Sequence, residues 1–165
     1  DLSAREPLMF AGMLAGIGFG ASGCHVPHAM SYAVAGLVQD YHPEGWPDDH
    51  AMVPHGISVI LNAPAAFRLI GPAAAECHLR AAQAIGADIR NVPEERAGDV
   101  LAEQIIKLMR ATGVPNGLAG VGYSDADIDA LTQRTLPQRR LLDIAPREIS
   151  DADLRQLFRD SMRLW

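Results

Sequence analysis

Three histidines in this chain could do chemistry together. His25 and His28 lie three apart in an uncharged, helix-compatible run, and His55 follows in Val53-Pro54-His55-Gly56, just ahead of another apolar segment. Of six histidines, five (His25, His28, His42, His50 and His55) fall within the first 55 residues. Neutral imidazole is the commonest side-chain metal ligand, and two or three converging on one point make a site. Residues at i and i+3 share a helix face, and Pro54 and Gly56 suit the placing of one imidazole at a helix start. No Asp or Glu stands beside them in a ligand pattern, so the sequence offers part of a metal site. The alternative for a bare H-x-x-H is two polar residues hydrogen-bonded inside a helical core. His42, His50 and His78 read as solvated loop or surface residues.

Other chemistry fares worse. Cys24 adjoins His25, but neighbours on a helix point about 100° apart and do not face each other. Cys77 reads as a small core residue. Gly18-Phe19-Gly20-Ala21-Ser22-Gly23 matches G-x-G-x-x-G. In a dinucleotide fold such glycines follow a β-strand. Here Met9 to Gly16 precedes them, free of β-branched residues, so the glycines read as a turn between two helices.

The elements that must position the histidines are helical. Ser3-Ala4-Arg5-Glu6 has the form of a capping box, opening a helix to about Gly18 with Pro7 in its first turn. Ala11/Ala15 and Gly12/Gly16 let another backbone approach, which suits a central helix. A second helix runs from about Cys24 to Val38. The polar stretch Gln39 to Met52 reads as a functional or mobile loop. Further helices follow over Ile57 to Ile70, Ala73 to Ile85, and from Pro93 to Gly113; Ser124 and Ser150 cap the last two. No strand-like alternation persists. The expectation is an all-α fold, a compact bundle of about seven helices in one domain spanning residues 1–165.

Composition bounds the rest. The 165 residues are 48% apolar and 21% charged, with aromatics at 5%, which favours closely packed helices over a β-sandwich. A net charge of −6 and a solitary Arg139-Arg140 pair argue against nucleic acid. Two cysteines make no disulfide framework. With no visible signal peptide, they point to a reducing, cytoplasmic setting. Pro7 to Val38 carries no Asp, Glu, Lys or Arg and is long enough to span a bilayer. Its histidines, Pro27 and six glycines favour a pair of buried helices in a soluble core, with no membrane partner. The chain starts at Asp1 without a Met, as a processed product or a piece of something longer would.

Taken together, Ala15-Gly16-Ile17-Gly18-Phe19, His28-Ala29-Met30, Pro54-His55-Gly56, Gly113-Val114-Pro115 and Pro146-Arg147 resemble the second half of iron-containing (group III) alcohol dehydrogenases. The resemblance covers essentially the whole chain. The run from Gly18 through His25 and His28 to Met30-Ser31-Tyr32, the long loop, and Asp49-His50 with Val53 to Gly56 look most like the hydroxyacid–oxoacid transhydrogenases. Tyr32 stands where many members carry a second histidine, four residues after the metal-binding one.

The resemblance implies an N-terminal nucleotide-binding domain, absent from this chain, and a helical C-terminal domain, with the active site between them. One Asp and three His hold Fe²⁺, Zn²⁺ or another divalent ion in the family, and His28 and His55 match the last two histidines. The Asp and first His belong to a D-x-x-x-H motif upstream of Asp1. NAD(P) is bound mainly by the absent domain. The implied function is NAD(P)-linked oxidation of a small alcohol or hydroxy acid, or hydride transfer from a hydroxy acid to an oxo acid. His25 and Tyr32 are candidates to orient a ligand or a proton path, with Phe19 and Val53 as further lining residues. This chain alone is expected to be inactive. The rival readings are a stand-alone helical metal-binding or interaction domain, whose bare apolar face would drive a homodimer, and a structural helical protein with incidental histidines.

Overall fold

A computed structural model describes all 165 residues. It is all-helical, without strands. Nine α-helices follow one another: α1 (Leu2–Ser22), α2 (Val26–Gly36), α3 (His55–Ile60), α4 (Ala63–Ile70), α5 (Ala75–Ala84), α6 (Ala97–Ala111), α7 (Ile128–Thr135), α8 (Arg139–Leu142) and α9 (Asp151–Ser161). Short 3₁₀ turns lead into α5, α6 and α7. The seven expected segments are all helical. The third divides into α3 and α4 because Pro64 lacks the N–H that would continue the ladder to Ile60. The single turn α8 adds to the seven.

The core is built around α2. Its residues 26, 29, 30, 33 and 34 are fully buried, the i, i+3, i+4, i+7, i+8 spacing of a helix with one apolar stripe. The helix packs on α3, α7 and α8. Tyr123 donates its hydroxyl hydrogen to Val34 O at 2.5 Å, satisfying one of the carbonyls a helix C-terminus leaves orphaned. Burial, with the Asp127 carboxylate second, pushes this phenol up to about 12. From α9, Leu154, Leu157 and Phe158 complete the core. Both expected serine caps form: Ser124 N–H donates to the Asp127 carboxylate at 2.8 Å and Ser150 N–H to that of Asp153 at 2.9 Å.

Glycine sets the closeness of the α4–α6 pair. A Cβ on Gly98 would collide with the carbonyl of Phe67 and come within 2.9 Å of Arg68 Cα. Gly71 and Gly98 also abut each other, so these backbones meet where side chains would hold them apart.

The first helix departs from expectation. It starts earlier, capped by Asp1 rather than Ser3, with the Asp1 carboxylate accepting from Ser3 N–H at 2.9 Å. Pro7 therefore lies inside it rather than in its first turn. It runs through Gly18 and Gly20 to Ser22, so only Gly23, at φ 77°, makes the turn. It is also not a central helix: none of its residues is buried. Leu2, Leu8, Met9, Phe10 and Ile17 are each more than half exposed. Small residues at i, i+4 permit close approach, but permission needs a partner, and within these 165 residues α1 finds none. At Gly23–His25 the direction changes by 109°, so the charge-free stretch is two helices at an elbow. The run His55–Ala84 is also long and apolar enough for a membrane, with half of its most apolar stretch buried, as core helices are.

Candidate metal centre

His28 and His55 are far apart in sequence, and the fold brings them together. His28 lies in the first turn of α2, behind Pro27, while His55 is the first residue of α3, behind Pro54. Their ring centroids are 5.4 Å apart and tilted by 57°. Both turns are braced the same way: Ser31 donates its hydroxyl to His28 O and Ser58 to His55 O, each at 2.8 Å. Ser31 and Ser58 are buried. Sequence reasoning missed these two serines, although the repeated H-x-x-S spacing is a signal that could have found them. Burial, then the neighbouring His55, lowers the pKa of His28 below the ordinary histidine value. A neutral imidazole keeps a lone pair free for a metal.

His25 caps α2 and is half-buried, its Nδ1 enclosed without a hydrogen-bond partner. It meets the edge of Phe67 at 6.2 Å, and Phe67 in turn meets His78 at 5.5 Å. Burial, His78 and His28, in that order, lower its pKa. With Cys24, His28 and Phe67, His25 lines a cavity of about 280 Å³. His78 is buried, with Nδ1 2.9 Å from Ala74 O, rather than on the surface as expected; the apolar face of α5 carries it inward. Cys77, one position before it, is exposed instead of in the core, because adjacent helical residues diverge by about 100°.

Tyr32 lies one turn after His28 on α2, and its hydroxyl oxygen accepts from the Arg140 guanidinium at 3.3 Å. Val53 is buried in the core, while Phe19 is exposed on α1. On the other side, His55 borders an open groove of about 740 Å³ together with Tyr41, Trp46 and Pro115. The loop forming that wall is tied at its ends by Met52 N–H donating to Tyr41 O at 2.8 Å. Within it, His42 pairs with Asp48 at 2.6 Å and His50 with Asp49 at 2.7 Å; both are loop residues, as expected.

Two imidazoles fit part of a divalent-metal site. No group of three or more His, Cys, Asp or Glu side chains converges anywhere in the chain. A tetrahedral or larger shell needs donors from outside it.

Comparison with known proteins decides the family. The model of the Fe-containing alcohol dehydrogenase family, C-terminal, matches residues 1–162. The chain belongs to that family. A probable hydroxyacid-oxoacid transhydrogenase, mitochondrial, of Dictyostelium discoideum is 47% identical over 166 residues, covering all of this chain and 30% of that protein. The Homo sapiens hydroxyacid-oxoacid transhydrogenase, mitochondrial, is 46% identical over 165 residues, again covering the whole chain and 35% of its relative. The chain thus spans about a third of the length of these relatives, as a C-terminal part. Among solved structures, a 1,3-propanediol oxidoreductase superposes with TM-score 0.82 at 23% identity, and the alcohol dehydrogenase from Oenococcus oeni with 0.83 at 22%. Each covers 98% of this chain and 38% of the other. At that identity they show the fold: the helical bundle of an Fe-type alcohol dehydrogenase.

One expectation is overturned here. The cytoplasmic setting expected from the two cysteines is not supported, because these relatives are named mitochondrial. Two unpaired cysteines speak for a reducing compartment, and that argument does not tell one such compartment from another.

Proposed function

We propose that this chain is the metal-side helical domain of an alcohol or hydroxyacid dehydrogenase, with His28 and His55 supplying two ligands of a divalent ion. The observation that carries this reading is the 5.4 Å approach of these two imidazoles from different helices. Family membership and the relatives' names support it. A bound Fe²⁺, Zn²⁺ or similar ion supplies Lewis acidity, favouring the alkoxide form of a substrate hydroxyl.

The chain's own residues do the positioning. Ser31 and Ser58 pin the turns that present His28 and His55. His25 and Tyr32, on either side of His28 along the chain, orient ligand and substrate. The overall reaction removes a hydride from the carbinol carbon and a proton from its oxygen. The hydride passes to NAD(P)⁺ with the proton released to solvent, or the hydride passes to the carbonyl carbon of an oxo acid and a proton to its oxygen; the acceptor is held mainly by the part of the protein outside this chain. The chain alone, with half a ligand set, is inactive in this reading.

The test is metal content of the full-length protein, wild type against His28→Ala and His55→Ala, after titration with Fe²⁺ or Zn²⁺. Stoichiometric metal lost in both variants, together with NAD(P)-linked or oxo-acid-linked turnover, supports the reading. Metal retained by both variants rejects it. The bare apolar surface of α1 favours a second reading, a stand-alone interaction domain that pairs with its own copy. Turnover by the 165-residue chain alone would sink that alternative.

A further inference from the structure

Arg140 is a guanidinium without an ion-pair partner that reaches the helix carrying His28. It sits on α8, the single turn that follows Pro137-Gln138. Its neighbour Arg139 pairs with Asp143 four residues on, which leaves Arg140 as the basic member of the pair turned toward α2. No carboxylate lies within ion-pair distance of it, whereas Arg68 of α4, Arg155 of α9 and its own neighbour Arg139 each have one. Its contact in the protein is the Tyr32 hydroxyl, at 3.3 Å. A guanidinium is a planar fork of donors matched to a carboxylate. A single long bond to a phenol oxygen leaves most of that fork free.

The placement of this fork follows from helix geometry. Tyr32 is at i+4 from His28, so the two side chains share one face of α2, with Cβ atoms about 5–6 Å apart. Arg140 reaches that face from the neighbouring helix. A substrate whose hydroxyl oxygen is held at His28 and His55 extends its far end along the same face or away from it. If that end is an uncharged carbon chain, it gains nothing from Arg140. If it is a carboxylate, the fork and the Tyr32 hydroxyl form a ready pair of donors.

We infer that Arg140, aided by Tyr32, seats the carboxylate of a hydroxy acid substrate and makes the site select hydroxy acids over plain alcohols. This rests on the dehydrogenase reading above and adds to it a specificity residue. Arg140 takes no part in the bond changes: it binds the end of the substrate that does not react.

The test uses the full-length metal-loaded enzyme that contains this chain. Straight-chain ω-hydroxy carboxylates are compared with the diols of the same length, in wild type, Arg140→Met, Arg140→Lys and Tyr32→Phe. Removing a charge-assisted pair from a bound carboxylate raises KM about 10- to 100-fold. Arg140→Met is expected to raise KM for the hydroxy carboxylates by that factor and to raise it far less for the diols, which have no carboxylate to lose. Arg140→Lys keeps the charge without the fork and falls between. Titration of butyrate into the holoenzyme, followed by calorimetry, gives a readout free of turnover: its affinity drops in Arg140→Met. An equal loss on both substrate series, or none on either, overturns the assignment. So does a wild type that oxidises diols as readily as hydroxy carboxylates, and in that case the dehydrogenase reading survives. A wild type that binds metal yet oxidises neither series removes both.

Discussion

Helices α1 and α2 are sequence neighbours of nearly the same character, and the fold treats them as opposites. Neither helix past Pro7 carries a charged residue, and both are rich in Ala, Gly and Met. On α2, seven of eleven residues are buried; on α1, none of twenty-one. Composition therefore sets what a helix can bury, while the partner decides whether it does. Around α2 lie α3, α7 and α8 within this chain. The partner of α1 is not among these residues, and the chain amounts to only about a third of its relatives' length.

The sharpest way to break this contrast is to make one substitution on both helices. Met30 on α2 has no exposure, while Met13 on α1 is half exposed. Met30→Ala should cost about 2–5 kcal/mol, the usual range for a large-to-small change in a packed core, read by denaturant unfolding of the 165-residue chain. A small loss there would mean that the α2 interface is loose. Next in size is Gly98→Ala, where the new methyl has no room against Phe67 and Arg68. The strain should destabilise by about 1–3 kcal/mol, and an unchanged midpoint would show that α4 and α6 separate easily.

A smaller effect tests α9, which stands with α2 in the buried class. Burial pushes the Asp153 carboxyl up, but the Ser150 bonds and Arg147 outweigh it and hold the pKa below the ordinary carboxylate value. A group depressed in the folded state stabilises above its unfolded pKa, and that gain disappears as pH falls through the folded value. Asp153→Asn should therefore cost on the order of 1 kcal/mol near neutrality. The gap from wild type should close in acid, below the usual carboxylate range. A gap independent of pH would assign the effect to shape alone. The smallest change belongs to Met13→Ala, within about 0.5 kcal/mol in this chain because nothing packs on it. In the full-length protein the same variant should cost several times more. Equal effects in both would show that α1 stays bare there too, and sedimentation of the isolated chain would then reveal whether it pairs with itself.

Much of the fold was legible because it rests on local rules. Serine caps at 124 and 150, the glycine stop at 113 and the span of α2 each depend on a few adjacent residues. What was missed depends on distant ones. Nothing near Met13 says that its helix is unaccompanied, and nothing near His78 says that Phe67 will enclose it. At the site, His25, His28 and His55 could be picked out by type and spacing. The closeness of His28 to His55 depends on how α3 lies against α2, which the intervening loop conceals. Arg140 was harder still: its only visible property was to be half of a basic pair, and its link to Tyr32 crosses 108 residues of sequence.

The elbow at Gly23 turns a local dihedral into long-range aim. A helix of this length is a rigid rod of roughly 30 Å, so a rotation of about 10° at its base swings the tip near Asp1 by about 5 Å. Gly23 N–H donates to Phe19 O at 2.7 Å, and a Cβ at Gly23 would come within 2.7 Å of Ile144 Cδ1. One residue is thus bonded to its own helix and flanked by the segment after α8. It acts as the bearing of a lever whose short arm carries the histidines and whose long arm points to the chain that precedes Asp1 in the longer relatives. A side chain there would be strained at a φ of 77°, and relief of that strain would be felt first as a change in the aim of the rod.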